Sequence, residues 1–292
     1  MKEGYKIFGN NAVKLCLWLK KSIKTGEREF CYKQKFYGIK SHRCLQMTPS
    51  QPFCNLRCLH CWRDISTRKP IWENGFDEPE EIIEKSIQAQ RILLAGLGGV
   101  PHSEKHLKEA QNPKHVAISL DGEPCLYPKL SELIQGFHKR GMTTFLVTNG
   151  TFPEVLEKIQ LPTQLYVSLT SNSEKIFNKI QNPIERGWKE LNQTLELLPN
   201  LKTRKVIRLT LVKNLNFSEP EKYADLILKA KPDFIEVKSA MAVGFAKSQN
   251  RLKYSDMPYH EEIKQFSKKL SDILNYKIKN EKVDSRVVLL KR

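Results

Sequence analysis

The chain reads as a parallel α/β protein, and two observations carry that reading. Short apolar runs of strand type recur along it, separated by segments with helical apolar spacing. Polar residues cluster where those runs end: Asp121-Gly122-Glu123, Thr148-Asn149-Gly150, Thr170-Ser171-Asn172, Lys213-Asn214 and Lys238-Ser239. Strands joined by helical crossovers form parallel sheets, and parallel α/β barrels carry their chemistry at the C-terminal strand ends. Each polar cluster, taken singly, reads more simply as an ordinary strand-to-helix turn.

The elements follow in order. Ala12 to Leu19 is a short apolar stretch interrupted by Lys14, and reads as an amphipathic helix. Ile82, Ile83, Ile87 and Leu93 mark a helix, and Val116 to Leu120 a strand. Ser131 to Arg140 reads as a helix closed by Gly141, Thr143 to Val147 as a strand, Pro153 to Ile159 as a helix and Leu165 to Leu169 as a strand. Helical patterns near Ile176 and over Leu191 to Leu198 precede a strand at Val206 to Val212. A helix at Glu219 to Lys229, a strand at Phe234 to Val237, a long helix at Tyr259 to Leu274 and a strand at Val287 to Leu290 complete the series.

Between Cys44–Thr48 and the helix marked by Ile82 stands Cys54-Asn55-Leu56-Arg57-Cys58-Leu59-His60-Cys61, a C-x-x-x-C-x-x-C run. Three thiolates so spaced can wrap one loop around a four-iron cluster. A fourth iron then stays open to a small ligand, since such clusters ordinarily take four thiolates. A zinc knuckle or a plain electron-transfer cluster is the competing reading of the spacing. Roughly sixty residues on, Asp121-Gly122-Glu123-Pro124 follows a strand directly. The run and the tetrapeptide together resemble the radical S-adenosylmethionine (SAM) superfamily. In that superfamily the open iron holds the amino and carboxylate groups of SAM, and a G-G-E-P element holds the amino group. Here Asp121 replaces the first glycine. His60 stands where the superfamily usually has an aromatic beside the adenine.

The composition narrows the setting. The 292 residues suit one large domain or two small ones, and 40% hydrophobic residues support a sizeable core. Lys and Arg number 49 against 32 acidic residues, a net charge of +17, which points to a polyanionic partner such as nucleic acid. Basic stretches at Lys20-Lys21, Lys33 to Arg43, Lys202 to Arg208 and Lys247 to Lys253 carry nearby aromatics (Tyr32, Phe36, Tyr37, Tyr254), as RNA-binding surfaces often do; a merely solvated basic surface is the alternative. Seven cysteines, three in a metal-ligand run, argue against a secreted disulfide framework and for a reducing cytoplasm. Residues 1–24 hold no apolar core long enough for a signal peptide or a membrane span, so no membrane partner is expected.

Cys16, Cys31 and Cys44 precede the cluster run without metal-like spacing, and packed core thiols are their simplest reading. Flanks such as Phe30-Cys31-Tyr32-Lys33 and His42-Arg43-Cys44 favour a second set of ligands instead. Cys125 reads as packing. The stretch Cys31 to Pro49 running into Cys54–Trp62, with Ser119–Pro128, Thr148-Asn149-Gly150 and Asp256–Ile263, resembles the archaeal TYW1 family, the tRNA 4-demethylwyosine synthases of wyosine biosynthesis. The likeness spans nearly the whole chain.

The resemblance implies a partial (β/α) TIM-like barrel of the radical SAM type with an N-terminal cluster-binding extension. Residues 1–50 would carry the auxiliary-cluster cysteines, and residues 51–292 the barrel with its C-terminal extension. It implies two [4Fe-4S] clusters, one on Cys54, Cys58 and Cys61, the other on Cys16, Cys31 and Cys44. SAM contacts would come from His60, Gly122, Glu123, Pro124, Asn149 and Ser168. The implied reaction is a lyase-type condensation of N1-methylguanosine, beside the anticodon of phenylalanine tRNA, with pyruvate. A deoxyadenosyl radical abstracts hydrogen from the N-methyl group, the methylene radical adds to pyruvate, a carbon unit is lost, and closure gives the third ring. An external electron donor is required, and a cytoplasmic monomer is expected. Lys33 matches the lysine proposed to form a Schiff base with pyruvate, against a phosphate-binding role in the same basic stretch. Two other readings stay open: another radical SAM enzyme acting on RNA, such as a methyltransferase with Cys125 as acceptor, and a non-catalytic metal-stabilised RNA-binding protein.

Overall fold

The computed structural model describes residues 4–73 and 75–292. It divides into two compact units that interleave along the chain. The first comprises Met1–Phe53, Trp72–Val147 and Ile159–Gln164; the second comprises Cys54–Ile71, Thr148–Lys158 and Leu165–Arg292.

The first unit opens on a hairpin, β1 (Tyr5–Phe8) and β2 (Asn11–Lys14), turned by Gly9 at φ +52°. The amphipathic helix expected over Ala12 to Leu19 is therefore wrong in its first half. Ala12 and Val13 are fully buried and pair antiparallel with β3 (Cys44–Thr48), so tertiary pairing overrides a weak local helical pattern. The helix begins only at α1 (Leu17–Thr25), where the Cys16 Sγ accepts from the Leu19 amide and Gly26 closes the end at φ +60°. A short helix, α2 (Tyr32–Tyr37), follows. Next come α3 (Pro79–Ala95), α4 (Glu104–Ala110), β4 (His115–Ile118), α5 (Leu130–Lys139) and β5 (Thr143–Thr148). The strand order is β1-β2-β3-β4-β5, with β3, β4 and β5 parallel. Leu15, Leu19 and Ile23 pack against Leu94, Leu97 and Ala110, seating α1 on the ends of α3 and α4.

The second unit contains α6 (Pro153–Lys158), β6 (Gln164–Ser168), α7 (Glu174–Gln181), α8 (Trp188–Leu197), β7 (Arg204–Leu211), α9 (Pro220–Ala230) and β8 (Phe234–Ser239). It ends with α10 (Gly244–Ser248), α11 (His260–Leu274), β9 (Lys277–Lys282) and β10 (Val287–Lys291). Its order is β6-β7-β8-β10-β9, and β7 and β8 are parallel. Leu165, Tyr166 and Val167 are all buried, so β6 is covered on both faces. The terminal strand departs from the all-parallel expectation. β10 runs antiparallel to both β8 and β9, because the link from β9 is a single tight turn at Val283–Ser285, too short for a crossover. β9 had no apolar signature. Its sequence, Lys-Ile-Lys-Asn-Glu-Lys, is that of a charged edge strand that resists further pairing. No described helix is long and apolar enough to cross a membrane.

Candidate active site: two sulfur sets and a glycine-glutamate-proline turn

In the second unit the Cys54–Cys61 loop is bolted down by its backbone. The Leu59 amide donates to Ile180 O at 2.8 Å and the Arg57 amide to Gln181 O at 3.0 Å. These are carbonyls of the last turn of α7, which have no partner within the helix. The Asn55 side chain is fully buried. Its Nδ2 donates to Thr151 Oγ1 and to Glu185 O, each at 2.9 Å, and its Oδ1 accepts from Asn149 Nδ2 at 2.8 Å. Arg251 closes the far side. Its Nη1 donates to Cys58 O and Leu59 O, both at 3.0 Å; its Nη2 donates to Cys61 O at 2.9 Å and Arg63 O at 3.0 Å. Leu59 packs on Val212, Ala240, Ala242, Ala246, Leu252 and Met257.

The three thiols held by this frame are free of disulfides. Burial pushes the Cys58 thiol well above its ordinary pKa, and the nearby sulfurs of Cys54 and Cys61 push it further; Arg68 acts in opposition. Arg68 Nη2 lies 3.6 Å from Cys61 Sγ. Three half-buried, mutually repelling thiolates are costly without a cation to share them, so this donor set fits an iron–sulfur cluster. His60 is held neutral, its pKa lowered to about 4 by burial and then by Arg251. Asn149 lies in the same frame, its Oδ1 accepting from the Thr151 amide at 3.0 Å and its Nδ2 bonded to Asn55. Ser168 is the last residue of β6.

The first unit holds the glycine-glutamate-proline turn. Gly122 has φ +69°, and a Cβ there would lie 2.2 Å from Ser50 O and 2.6 Å from Phe53 O, so no other residue fits. Asp121, which stands where the superfamily pattern has a glycine, accepts from the Gly122 amide through Oδ1 at 2.8 Å. The Glu123 amide donates to Phe53 O at 2.8 Å, tying the turn to the residue before Cys54. The Glu123 carboxylate is buried and accepts from the Cys125 amide at 3.1 Å, which starts the 3-10 turn Pro124–Leu126. Cys125 is buried there as a packed thiol.

The same unit gathers the dispersed cysteines. Cys16 caps α1, Cys31 precedes α2 and Cys44 opens β3. Burial raises the Cys16 thiol and pushes Cys44 up to about 12; next come the effect of Cys16 on Cys44, the opposing charge of Lys33, and the effect of Cys31. Sulfurs from positions 16, 31 and 44 thus share one neighbourhood with Lys33. Lys33 is itself buried in the first turn of α2, its Nζ 5.0 Å above the Phe145 ring.

Sequence reasoning missed Asn55, Arg68 and Arg251. Asn55 lies inside the cysteine run and was open to notice. Arg251 lay hidden in a basic stretch read as an RNA surface, and much of that basicity is structural. Arg208 pairs at 2.8 Å with the fully buried Glu236 and stacks on Tyr166 at 4.4 Å, and Arg43 donates to Asn112 O at 2.8 Å.

Comparison with known proteins agrees with this geometry. The radical SAM superfamily profile matches residues 48–227, and a profile described as wyosine base formation matches residues 229–292. The S-adenosyl-L-methionine-dependent tRNA 4-demethylwyosine synthase of Pyrococcus abyssi is 51% identical over all of this chain and 86% of its own length. The Methanocaldococcus jannaschii protein of the same name is 44% identical over 99% of this chain and 93% of its own. A solved structure of TYW1 with a lysine-pyruvate adduct bound superposes with a TM-score of 0.90 at 43% identity, covering 99% of this chain and 93% of that one. Radical SAM membership implies a SAM cofactor and a [4Fe-4S] cluster, for which the cysteine loop is fitted. The chain belongs to the radical SAM superfamily and, within it, to the tRNA 4-demethylwyosine synthase family.

Proposed function

We propose that this enzyme converts N1-methylguanosine in phenylalanine tRNA, with pyruvate, into the tricyclic 4-demethylwyosine. The observation that carries the reading is the convergence of the half-buried Cys16, Cys31 and Cys44 with the buried Lys33 in one neighbourhood, which a SAM-cleaving core by itself does not need. The relative solved with a lysine-pyruvate adduct supports a carbonyl cosubstrate. Residues 1–50 act as the auxiliary-cluster segment, and residues 51–292 as the radical SAM barrel with its C-terminal extension.

Cys54, Cys58 and Cys61 hold the SAM cluster; Cys16, Cys31 and Cys44 hold the second. Bound there, SAM and its cluster would supply radical chemistry toward the N-methyl group. Gly122, Glu123 and Pro124 would contact the amino group of SAM, and His60, Asn149 and Ser168 are further SAM-contact residues of this reading. Lys33, once deprotonated, condenses through Nζ with the pyruvate carbonyl and releases water, fixing the keto acid beside the second cluster. Cationic side chains outside the internal ion pairs hold the tRNA phosphates. The enzyme works as a cytoplasmic monomer with an external electron donor.

The test is incubation of anaerobic protein with N1-methylguanosine-bearing tRNA, SAM, pyruvate and a strong reductant, followed by nucleoside mass analysis. The tricyclic nucleoside is expected only when pyruvate is present. A methylated product without pyruvate consumption, or no SAM cleavage, would overturn the assignment.

A further inference from the structure

Next to the cysteine-bearing segments of the first unit lies a cluster that the reaction does not use. Glu27 follows the C-cap of α1 in a left-handed conformation, φ +66°. His42 sits in the 3-10 turn Ser41–Arg43 that leads into Cys44, and His106 sits in α4. His42 Nδ1 is 2.8 Å from Glu27 Oε1, and His106 Nε2 is 3.5 Å from Glu27 Oε2. One donor atom from each residue falls within a group no wider than 4.8 Å. The two rings cross edge-on with centroids 4.6 Å apart.

Two independent features point to a ligand. His42 is 1% exposed, yet its Nδ1 makes no aligned hydrogen bond despite the nearby carboxylate. An imidazolium simply sandwiched between two carboxylates would point both N–H groups at them. The outer nitrogen of each ring, by contrast, is occupied: His42 Nε2 meets Glu109 Oε2 at 2.6 Å, and His106 Nδ1 meets Ser103 Oγ at 2.7 Å. That division, with the inner nitrogens turned to one point and the outer ones held by a carboxylate and a hydroxyl, is how metal-binding histidines are oriented.

We propose that Glu27, His42 and His106 bind a divalent transition cation, zinc by the character of the ligand set. The one carboxylate faces both rings, with Oε1 toward His42 and Oε2 toward His106, and an ion held among the three side chains would take bonds of about 2.0–2.1 Å. Glu27 is 30% exposed on its side chain, so water completes the fourth position. The ion braces the auxiliary segment. Glu27 directly follows the C-cap of the helix that Cys16 begins, and His42 stands two residues before Cys44. Gln34, in the helix that follows Cys31, places Nε2 3.5 Å from Glu27 Oε1 and accepts from the Ser41 amide at 3.0 Å.

The experiment uses the anaerobically reconstituted full chain, exposed to zinc and desalted. Zinc and iron are counted by mass spectrometry, and zinc K-edge absorption reads the first shell. One equivalent of zinc beyond the cluster iron is expected, with a nitrogen and oxygen shell, imidazole scattering and no sulfur. His106→Gln and Glu27→Gln should each weaken zinc binding more than about ten-fold with cluster iron unchanged, and Glu109→Gln about ten-fold with the shell composition intact. No zinc above background, sulfur in the zinc shell, or undiminished binding in both ligand variants would overturn the proposal. Should a variant fail to fold, the first shell of the unaltered protein decides alone.

Discussion

The Cys54–Cys61 loop and the Cys16, Cys31 and Cys44 set offer the same donor chemistry and are built in opposite ways. The first is local. Three cysteines within eight residues need only a loop whose backbone is held, and the second unit supplies that hold through α7, Asn55 and Arg251. The second is non-local. Its sulfurs arrive on the start of one helix, the residue before another and the start of a strand, and they meet because β3 is ordered beside β4 while α1 seats on α3 and α4. Motif spacing therefore predicts the first set and is silent about the second, whose cost of assembly is carried by the hydrophobic core.

The comparison breaks most cleanly at the ligands. Cys58→Ala removes one of three anchors from the local set. Iron should fall from about eight to about four per chain, with deoxyadenosine formation lost to background. Unchanged iron and normal SAM cleavage would falsify that assignment.

Cys31→Ala makes the converse cut. SAM cleavage should persist, because the ligand sets are separate, while the tricyclic product disappears and about four irons are lost. Normal product from this variant would return Cys31 to a packing role.

Lys33→Arg sharpens what the non-local set is for. The guanidinium keeps the positive charge but stays protonated and cannot condense with a carbonyl. Product formation should drop by at least about a hundred-fold, with tRNA affinity changed less than about two-fold. Borohydride with labelled pyruvate should trap an adduct on the Cys31–Lys35 peptide of the unaltered protein only. Full activity with arginine would overturn the Schiff-base role of Lys33 and leave pyruvate activation to the proposed second cluster.

The smallest effect is expected at Arg251, which supports the local set without touching iron. Arg251→Ala strands four carbonyls of the loop and should destabilise the protein by about 2–4 kcal/mol, since bonds from a charged donor contribute about 1.5–3 kcal/mol each and do not add fully. Iron release to a chelator should accelerate while initial SAM cleavage stays near normal. An unaltered release rate would mean that α7 and Asn55 hold the loop unaided.

Much of this molecule was determined by the sequence alone. The strand readings at Val206 to Val212 and Leu165 to Leu169 match β7 and β6 over most of their length because apolar and β-branched residues dominate each short run. The cysteine loop is legible because its three cysteines are neighbours in the chain, and Gly122 because it opens a Gly-Glu-Pro turn directly after an apolar strand; the contacts that exclude a side chain there belong to the tertiary structure. Only the tertiary structure decided the rest. Ala12 and Val13 became a strand because β3 offered an edge, and β10 ran antiparallel because a three-residue turn cannot cross over. Arg208 and Arg251 left the basic surface to satisfy a buried carboxylate and a ring of loop carbonyls. Residue type and spacing record local geometry, whereas charge partners and distant ligands are fixed only when folding closes the long loops between them.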